Sequence, residues 1–355
     1  MAGLGAAGAI GLAALALCLG SGCSDLGYYR QSLQGHLDML SRAKPVEEWI
    51  AQADTPAALK QRLALAQRLR EFSVQVLKLP DNASYRAYAD LQRTAAVWNV
   101  VAAPALSLQL KTWCYPVTGC VGYRGYFDKA QAEALAEQLR GEGWDVSVYA
   151  VPAYSTLGWS NWLGGDPLLN TFVGGSEGEL ARLIFHELAH QQLYIADDTV
   201  FNESFAVAVE RIGVRLWLQQ HGSDAARAQY LELRQRREDF RGLTMRWRER
   251  LQRLYASEQP DAQKRAAKDR MLDALRAEYA QVKQQRWGGF AVYDAWFAKA
   301  NNASLGVLAA YNEAVADFER LFEQQGRDFT RFYAEAARIG ALPKHERHAT
   351  LRAIP

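Results

Sequence analysis

His186, Glu187 and His190 fall in the order His-Glu-x-x-His within Leu183-Ile184-Phe185-His186-Glu187-Leu188-Ala189-His190. On an α-helix, residues i and i+4 share a face, so both imidazoles can bind one zinc ion. Glu187 lies beside them, where it can take a proton from metal-activated water and pass it to a leaving amine. The spacing points to amide hydrolysis with Zn2+ as cofactor, one ion per chain, and Glu187 as catalytic base. Matches of this kind also arise by chance, and His186 and His190 would then be plain helix-face histidines. Here the pattern uses two of six His in the chain and keeps uncharged Leu188 and Ala189 between them.

A catalytic zinc site takes a third protein ligand and keeps one position open. Leu193 and Ala196 occupy the places where a metzincin would carry Gly and a third His. Glu203, in Asn202-Glu203-Ser204-Phe205-Ala206, is the expected third ligand. Residues 191–202 leave room for a turn around Ala196-Asp197-Asp198 and a helix that returns beside the histidines. Asp197 and Asp198 are rival ligands, although making the turn and capping the second helix suits them better. Glu210, two turns beyond Glu203 on the same face, could orient a ligating His; a surface glutamate is the alternative. Tyr154, in the loop 151–159, and Tyr311 are candidate donors to a tetrahedral oxyanion, set against simple packing roles.

The elements that must hold these residues follow from periodicity and punctuation. Ser176 with Glu179 forms a capping-box pattern before a helix over 176–194. A second helix is expected from about Asn202 to Gln220. Residues 25–79 read as helical, with Leu59, Leu63, Ala66 and Leu69 at helical spacing, and 83–93 read as helical again. The run 97–110 is extended in character, Tyr123–Phe127 and 145–151 read as strands, and 128–141 as a short helix. The strand 145–151 could serve as an edge for an extended substrate. The stretch 224–286 mixes charges of both signs at i, i+3 and i+4, as a solvated helix or helical hairpin does.

Residues 4–20 form a short Gly/Ala/Leu-rich apolar run, resembling the core of a secretory signal rather than a comfortable membrane span. Leu19-Gly20-Ser21-Gly22-Cys23 looks like a bacterial lipoprotein processing site with Cys23 as the lipidated residue. The absence of Lys and Arg from the first residues, and Gly20 in place of an aliphatic residue, depart from that pattern. An ordinary cleaved signal or an uncleaved anchor are the alternatives, and each exports the chain. Ser24 is not the Asp of an inner-membrane retention signal, so a periplasm-facing anchor in the outer membrane of a bacterial cell envelope is expected. An oxidising compartment permits a disulfide, and Cys114 and Cys120 flank a Pro- and Gly-containing reversal that suits one. The net charge of +2 over 355 residues gives no broad footprint for nucleic acid, so a peptide or protein substrate is the expected partner.

The segments LPDNASYRAYADLQRTAAVWNVVAAPALSL (79–108), TWCYPVTGCVGYRGYF (112–127), VPAYSTLGW, LIFHELAHQQLY (183–194), DDTVFNESFAVAVE (197–210) and NNASL (301–305) with Tyr311 resemble the bacterial putative aminopeptidase family of exported, gluzincin-like lipoproteins. The resemblance implies a zinc peptidase with His186, His190 and Glu203 as ligands and Glu187 as base. No GAMEN-like segment, the element that anchors a substrate amine in well-studied zinc aminopeptidases, is present. The expected fold is α+β and predominantly α. It has a zincin-like core, a small β-sheet beside the His-Glu helix and a large helical C-terminal part. The expected divisions are a leader over 1–23, a catalytic region with N-terminal helices over 24–222, and a helical region over 223–355. The alternative function is an idle or narrowly specific zinc-binding envelope lipoprotein acting as an assembly module. A structural site, however, closes with a fourth ligand and has no use for Glu187.

Overall fold

The computed structural model describes residues 24–115, 119–153, 164–196, 198–310 and 314–354. The chain opens with α1 (Ser24–Arg42), the short strand β1 (Lys44–Pro45), α2 (Val46–Ala51) and α3 (Ala57–Gln75). Pro45 and Pro56 stand at the N-cap positions of α2 and α3. They divide the helical stretch where a fixed φ and a missing N–H are harmless. Strands β2 (Ala87–Ala89), β3 (Val97–Pro104), β4 (Trp113–Tyr115), β5 (Gly119–Val121) and β6 (Arg124–Tyr126) follow, then α4 (Lys129–Gly141), β7 (Trp144–Val151) and β8 (Leu168–Leu169). The helices α5 (Glu177–Gln192) and α6 (Thr199–Gln220) come next.

The remainder is helical: α7 (Asp224–Ala256), α8 (Asp261–Gln285), α9 (Asp294–Ala298), α10 (Asn302–Gly306), a 3-10 turn over Val307–Ala310, α11 (Val315–Gln324), α12 (Phe329–Gly340) and α13 (Lys344–Arg352). The fold is α+β and mostly helical. Among the described residues, no helix is long and apolar enough to cross a membrane.

The expected helix over 83–93 does not form. Local polar groups capture the backbone there instead. The guanidinium of Arg70, buried on α3, donates to the carbonyls of Pro80, Asn82 and Ser84. Tyr85 adopts φ +63° and its N–H donates to the Asp166 carbonyl at 2.7 Å. Only Ala87–Ala89 becomes regular, pairing antiparallel with β1 and parallel with β8. Gly165 makes this approach feasible: its φ is +72°, and a Cβ there would lie 2.4 Å from the Ser84 backbone nitrogen.

The main sheet has the order β6-β3-β7, all antiparallel. Strand β7 pairs with β3 through all eight residues from Trp144 to Val151 and is an edge. The extended run ends at Pro104, after which Lys111 N–H returns to the Ala102 carbonyl. The Asn301-Asn302 pair at the start of α10 clasps one end of this sheet, where β3 finishes and β7 begins. Asn301 Nδ2 donates to the Val146 carbonyl, and Asn302 Nδ2 to those of Pro104 and Ala105. Cys114 and Cys120 are disulfide-bonded across the β4–β5 hairpin.

One hydrophobic core runs from Met39 through α3, α5 and α6 to α11, α12 and Leu351. A second core joins the α7–α8 hairpin to the segment around Trp287, Phe297 and Leu305. The charged stretch 224–286 is therefore a hairpin with one buried stripe, including Leu243, Trp247, Leu251, Leu272 and Leu275.

Candidate metal centre and the cavity beside it

Helix α5 buries Leu180, Ala181, Ile184, Phe185, Leu188 and Ala189, which turns His186 and His190 together toward α6. Ser176 occupies the N-cap position, but its side chain makes no cap hydrogen bond, so the expected capping box is not formed. Glu179 instead bridges Arg182 and, from α7, Arg237. Two partly buried guanidinium groups hold the carboxylate more strongly than one backbone N–H could.

The link to α6 is fixed by two side chains. Asp198 caps α6 by accepting from Phe201 N–H, and Asn202 clamps the turn by bonding both Ile195 N (2.8 Å) and Ile195 O (2.7 Å). Helix α6 therefore begins at Thr199 rather than Asn202, and Glu203 falls in its second turn. Contacts between the helices run 190–203, 186–203, 186–210 and 182–210, which makes α5 and α6 antiparallel.

His186 Nε2 and His190 Nε2 are 3.2 Å apart. Glu203 presents Oε2 at 3.5 Å from His186 Nε2 and Oε1 at 3.7 Å from His190 Nε2. A tetrahedral ion with N and O ligands at about 2.0–2.1 Å has ligand–ligand edges of about 3.3–3.4 Å. The observed separations are close to those edges, and two imidazoles with one carboxylate are a donor set that suits zinc. The residues present fit such an ion.

Glu210 Oε2 lies 2.9 Å from His186 Nδ1, and Arg182 Nη1 stands 3.4 Å behind that same oxygen. Arg237, Glu179, Arg182, Glu210 and His186 thus form a line of alternating charge that fixes one imidazole. His190 Nδ1 is buried without a hydrogen-bond partner among the described residues, so that ring lacks the Nδ1 anchor that Glu210 gives His186.

The electrostatics of the cluster favour a positive charge at its centre. Burial opposes charge on His186, but the hydrogen bonds and charges of Glu203 and Glu210 overcome it and raise the imidazole to about 10. Burial, and then the His186 charge, push His190 down to about 4. Burial alone would raise Glu203 and Glu210; the histidines for the first, and Arg182 with His186 for the second, hold both below the ordinary carboxylate range. Two ionised carboxylates thus face one imidazolium, and a cation held by neutral imidazoles would satisfy the same field.

Glu187 is half-buried and lines a cavity of about 460 Å³ together with His186, Leu183, Val207 and Glu210. The end of β7 and the residues after it, Val151–Ala153, form another wall, so the sheet edge leads into the cavity. Tyr154, Tyr311, Asp197 and Cys23 lie outside the described residues.

Two tyrosines that periodicity did not single out stand nearer in view. Burial raises the Tyr149 phenol, its Asn99 hydrogen bond opposes this, and the Glu203 charge adds to the rise. Partial burial, neighbouring phenols and Glu203 raise Tyr123 likewise, although 44% of that residue is exposed. Both phenols stay protonated, near enough to feel the Glu203 charge. The signal for Tyr149 was the alternation of β7, which sets Asp145, Ser147 and Tyr149 on one face.

An α+β chain that sets two imidazoles and a carboxylate from one antiparallel helix pair about a common point is a candidate mononuclear metal protein. The chain belongs to the putative aminopeptidase family, whose model matches residues 27–351. Neither a curated protein nor a solved structure matches it.

Proposed function

We propose that this protein is a zinc-dependent peptidase with a zincin-like core, in which His186, His190 and Glu203 hold the metal and Glu187 is the general base. The observation that carries this reading is the convergence of those three donors at near-tetrahedral spacing, one of them, His186, lining a cavity that Glu187 also lines. Family membership supports a peptide substrate, and this reading gives Glu187 a role; zinc, when bound, would supply a Lewis acid and activate water. Glu187 would then take the water proton and deliver it to the departing amine. Glu210 would keep His186 in one tautomer and orientation. Tyr154 and Tyr311 are retained as proposed oxyanion donors, with Tyr149 added to them, and the β7 edge as a place for an extended substrate backbone. The leader-like residues before Ser24 support export and lipidation at Cys23, hence an envelope protein facing the periplasm.

The test is hydrolysis of peptide mixtures with free and blocked amino ends by wild type and Glu187→Gln at matched metal content. Expected is cleavage by wild type and a loss of about 10²–10⁴-fold in the variant. Cleavage restricted to free amino ends would make the enzyme an aminopeptidase, and cleavage of blocked peptides an endopeptidase. Full activity in Glu187→Gln would contradict the assigned base.

A further inference from the structure

The cavity beside the metal centre is rich in arginine. Arg182, Arg211, Arg234, Arg237 and Arg241 line it, against Glu187, Glu210 and Glu238. Three of the five are engaged. Arg182 pairs with Glu179 and Glu210, Arg237 with Glu179, and Arg234 with Glu238 at 3.6 Å. The guanidinium groups of Arg211 and Arg241 make no hydrogen bond or ion pair among the described residues, although both residues are half-buried. They come from different helices, Arg211 next to Glu210 on α6 and Arg241 one turn after Arg237 on α7. Burial and then the Arg211 charge lower the Arg241 pKa, with Glu210 and Glu238 opposing, so the two guanidinium groups feel each other. Like charges drawn together on a wall shared with Leu183, Val207 and Phe240 are unfavourable unless an anion joins them. A guanidinium fork matches a carboxylate in two parallel hydrogen bonds, and a cavity of about 460 Å³ has the volume of a small-ligand site.

We propose that this cavity is a carboxylate subsite, in which Arg211 and Arg241 hold an anionic group of the substrate next to the scissile bond. The group is a C-terminal carboxylate or an acidic side chain. This rests on the peptidase reading for its substrate, while the binding it describes is measurable without turnover. Arg211 and Arg241 are specificity residues here and take no part in bond cleavage.

Calorimetric titration of full-length Glu187→Gln protein with Ala-Glu, Ala-Gln and the C-terminal amide of each tests the proposal. Ala-Gln amide, which has no carboxylate, is expected to bind about 10–100-fold more weakly than Ala-Glu, the scale of hydrogen bonds to charged groups. Arg241→Gln or Arg211→Gln should flatten the series, and Arg241→Lys should restore part of it. Retained affinity for Ala-Gln assigns the chain terminus; retained affinity for Ala-Glu amide assigns the side chain. Equal binding of all four, no binding of any, or a preference that survives both Gln variants overturns the subsite. Hydrolysis by wild type with no carboxylate preference would remove the subsite and leave the peptidase reading intact. Carboxylate-dependent binding without hydrolysis would do the reverse.

Discussion

At the scale of single residues, the arrangement of His186 is the most constrained feature of the molecule. Its Nε2 faces His190 and Glu203 while Nδ1 meets Glu210, itself backed by Arg182. Removing the charge of Glu210 should leave the ligands in place and loosen one of them. Glu210→Gln is expected to weaken zinc binding about 10–100-fold, read as the dissociation constant in a chelator competition; unchanged affinity would show that Glu210 has no hold on the imidazole. The grouping of His186, His190 and Glu203 was legible because ligand chemistry fixes residue types and helix geometry fixes spacing. The Arg182–Glu179–Arg237 extension was not, because Arg237 lies 55 positions beyond Arg182 and no local pattern links them. Tyr149 escaped for a similar reason, since a tyrosine in an alternating strand reads first as packing.

At the scale of elements, the site depends on how closely α5 and α6 approach. Gly213 on α6 permits this: a Cβ there would lie 2.7 Å from Leu77 Cδ1 and 2.9 Å from Phe185 Cδ2, and Phe185 precedes the first metal-binding candidate. Gly213→Leu is expected to destabilise the fold by about 1–3 kcal/mol through overpacking and to weaken metal binding with it. Chemical denaturation of the two proteins decides this, and an unshifted midpoint would show that the helices can part without penalty. Helices with a periodic apolar face were readable from sequence, as was β7; that 224–286 is helical was readable too, but a single helix and a hairpin were both open until the structure divided it. The segment 83–93 was misread because its backbone hydrogen bonds go to Arg70 and Asp166, partners that helical periodicity cannot indicate. The Ser176–Glu179 cap failed for the same reason, as Glu179 found two arginines.

Across the whole molecule, the C-terminal helices return to the first core and fasten the turn that presents Glu203. Asp198, fully buried, caps α6 and also binds Arg347 and His348 from α13. Burial disfavours its charge, but the Arg347 hydrogen bond, the Phe201 N–H and the His348 charge hold its pKa below the ordinary value. A carboxylate depressed in the folded state contributes stability above its unfolded pKa, about 3.9, and that contribution is lost as pH falls through the folded value. Asp198→Asn should therefore be less stable than wild type at pH 7, with the gap closing at pH values below about 3.9. Thermal unfolding at both pH values measures it, and a gap independent of pH would assign the role to packing. The return of residues 315–352 to the core left no mark in the sequence beyond amphipathic helices, because a helix face does not name its partner.

The most direct test of the central claim is the metal content of the purified protein after dialysis, compared between wild type and Glu203→Ala. A metal site built from His186, His190 and Glu203 predicts about one zinc per wild-type chain and a large loss in the variant. Wild-type protein that binds no metal, or a variant that retains it in full, would contradict the account.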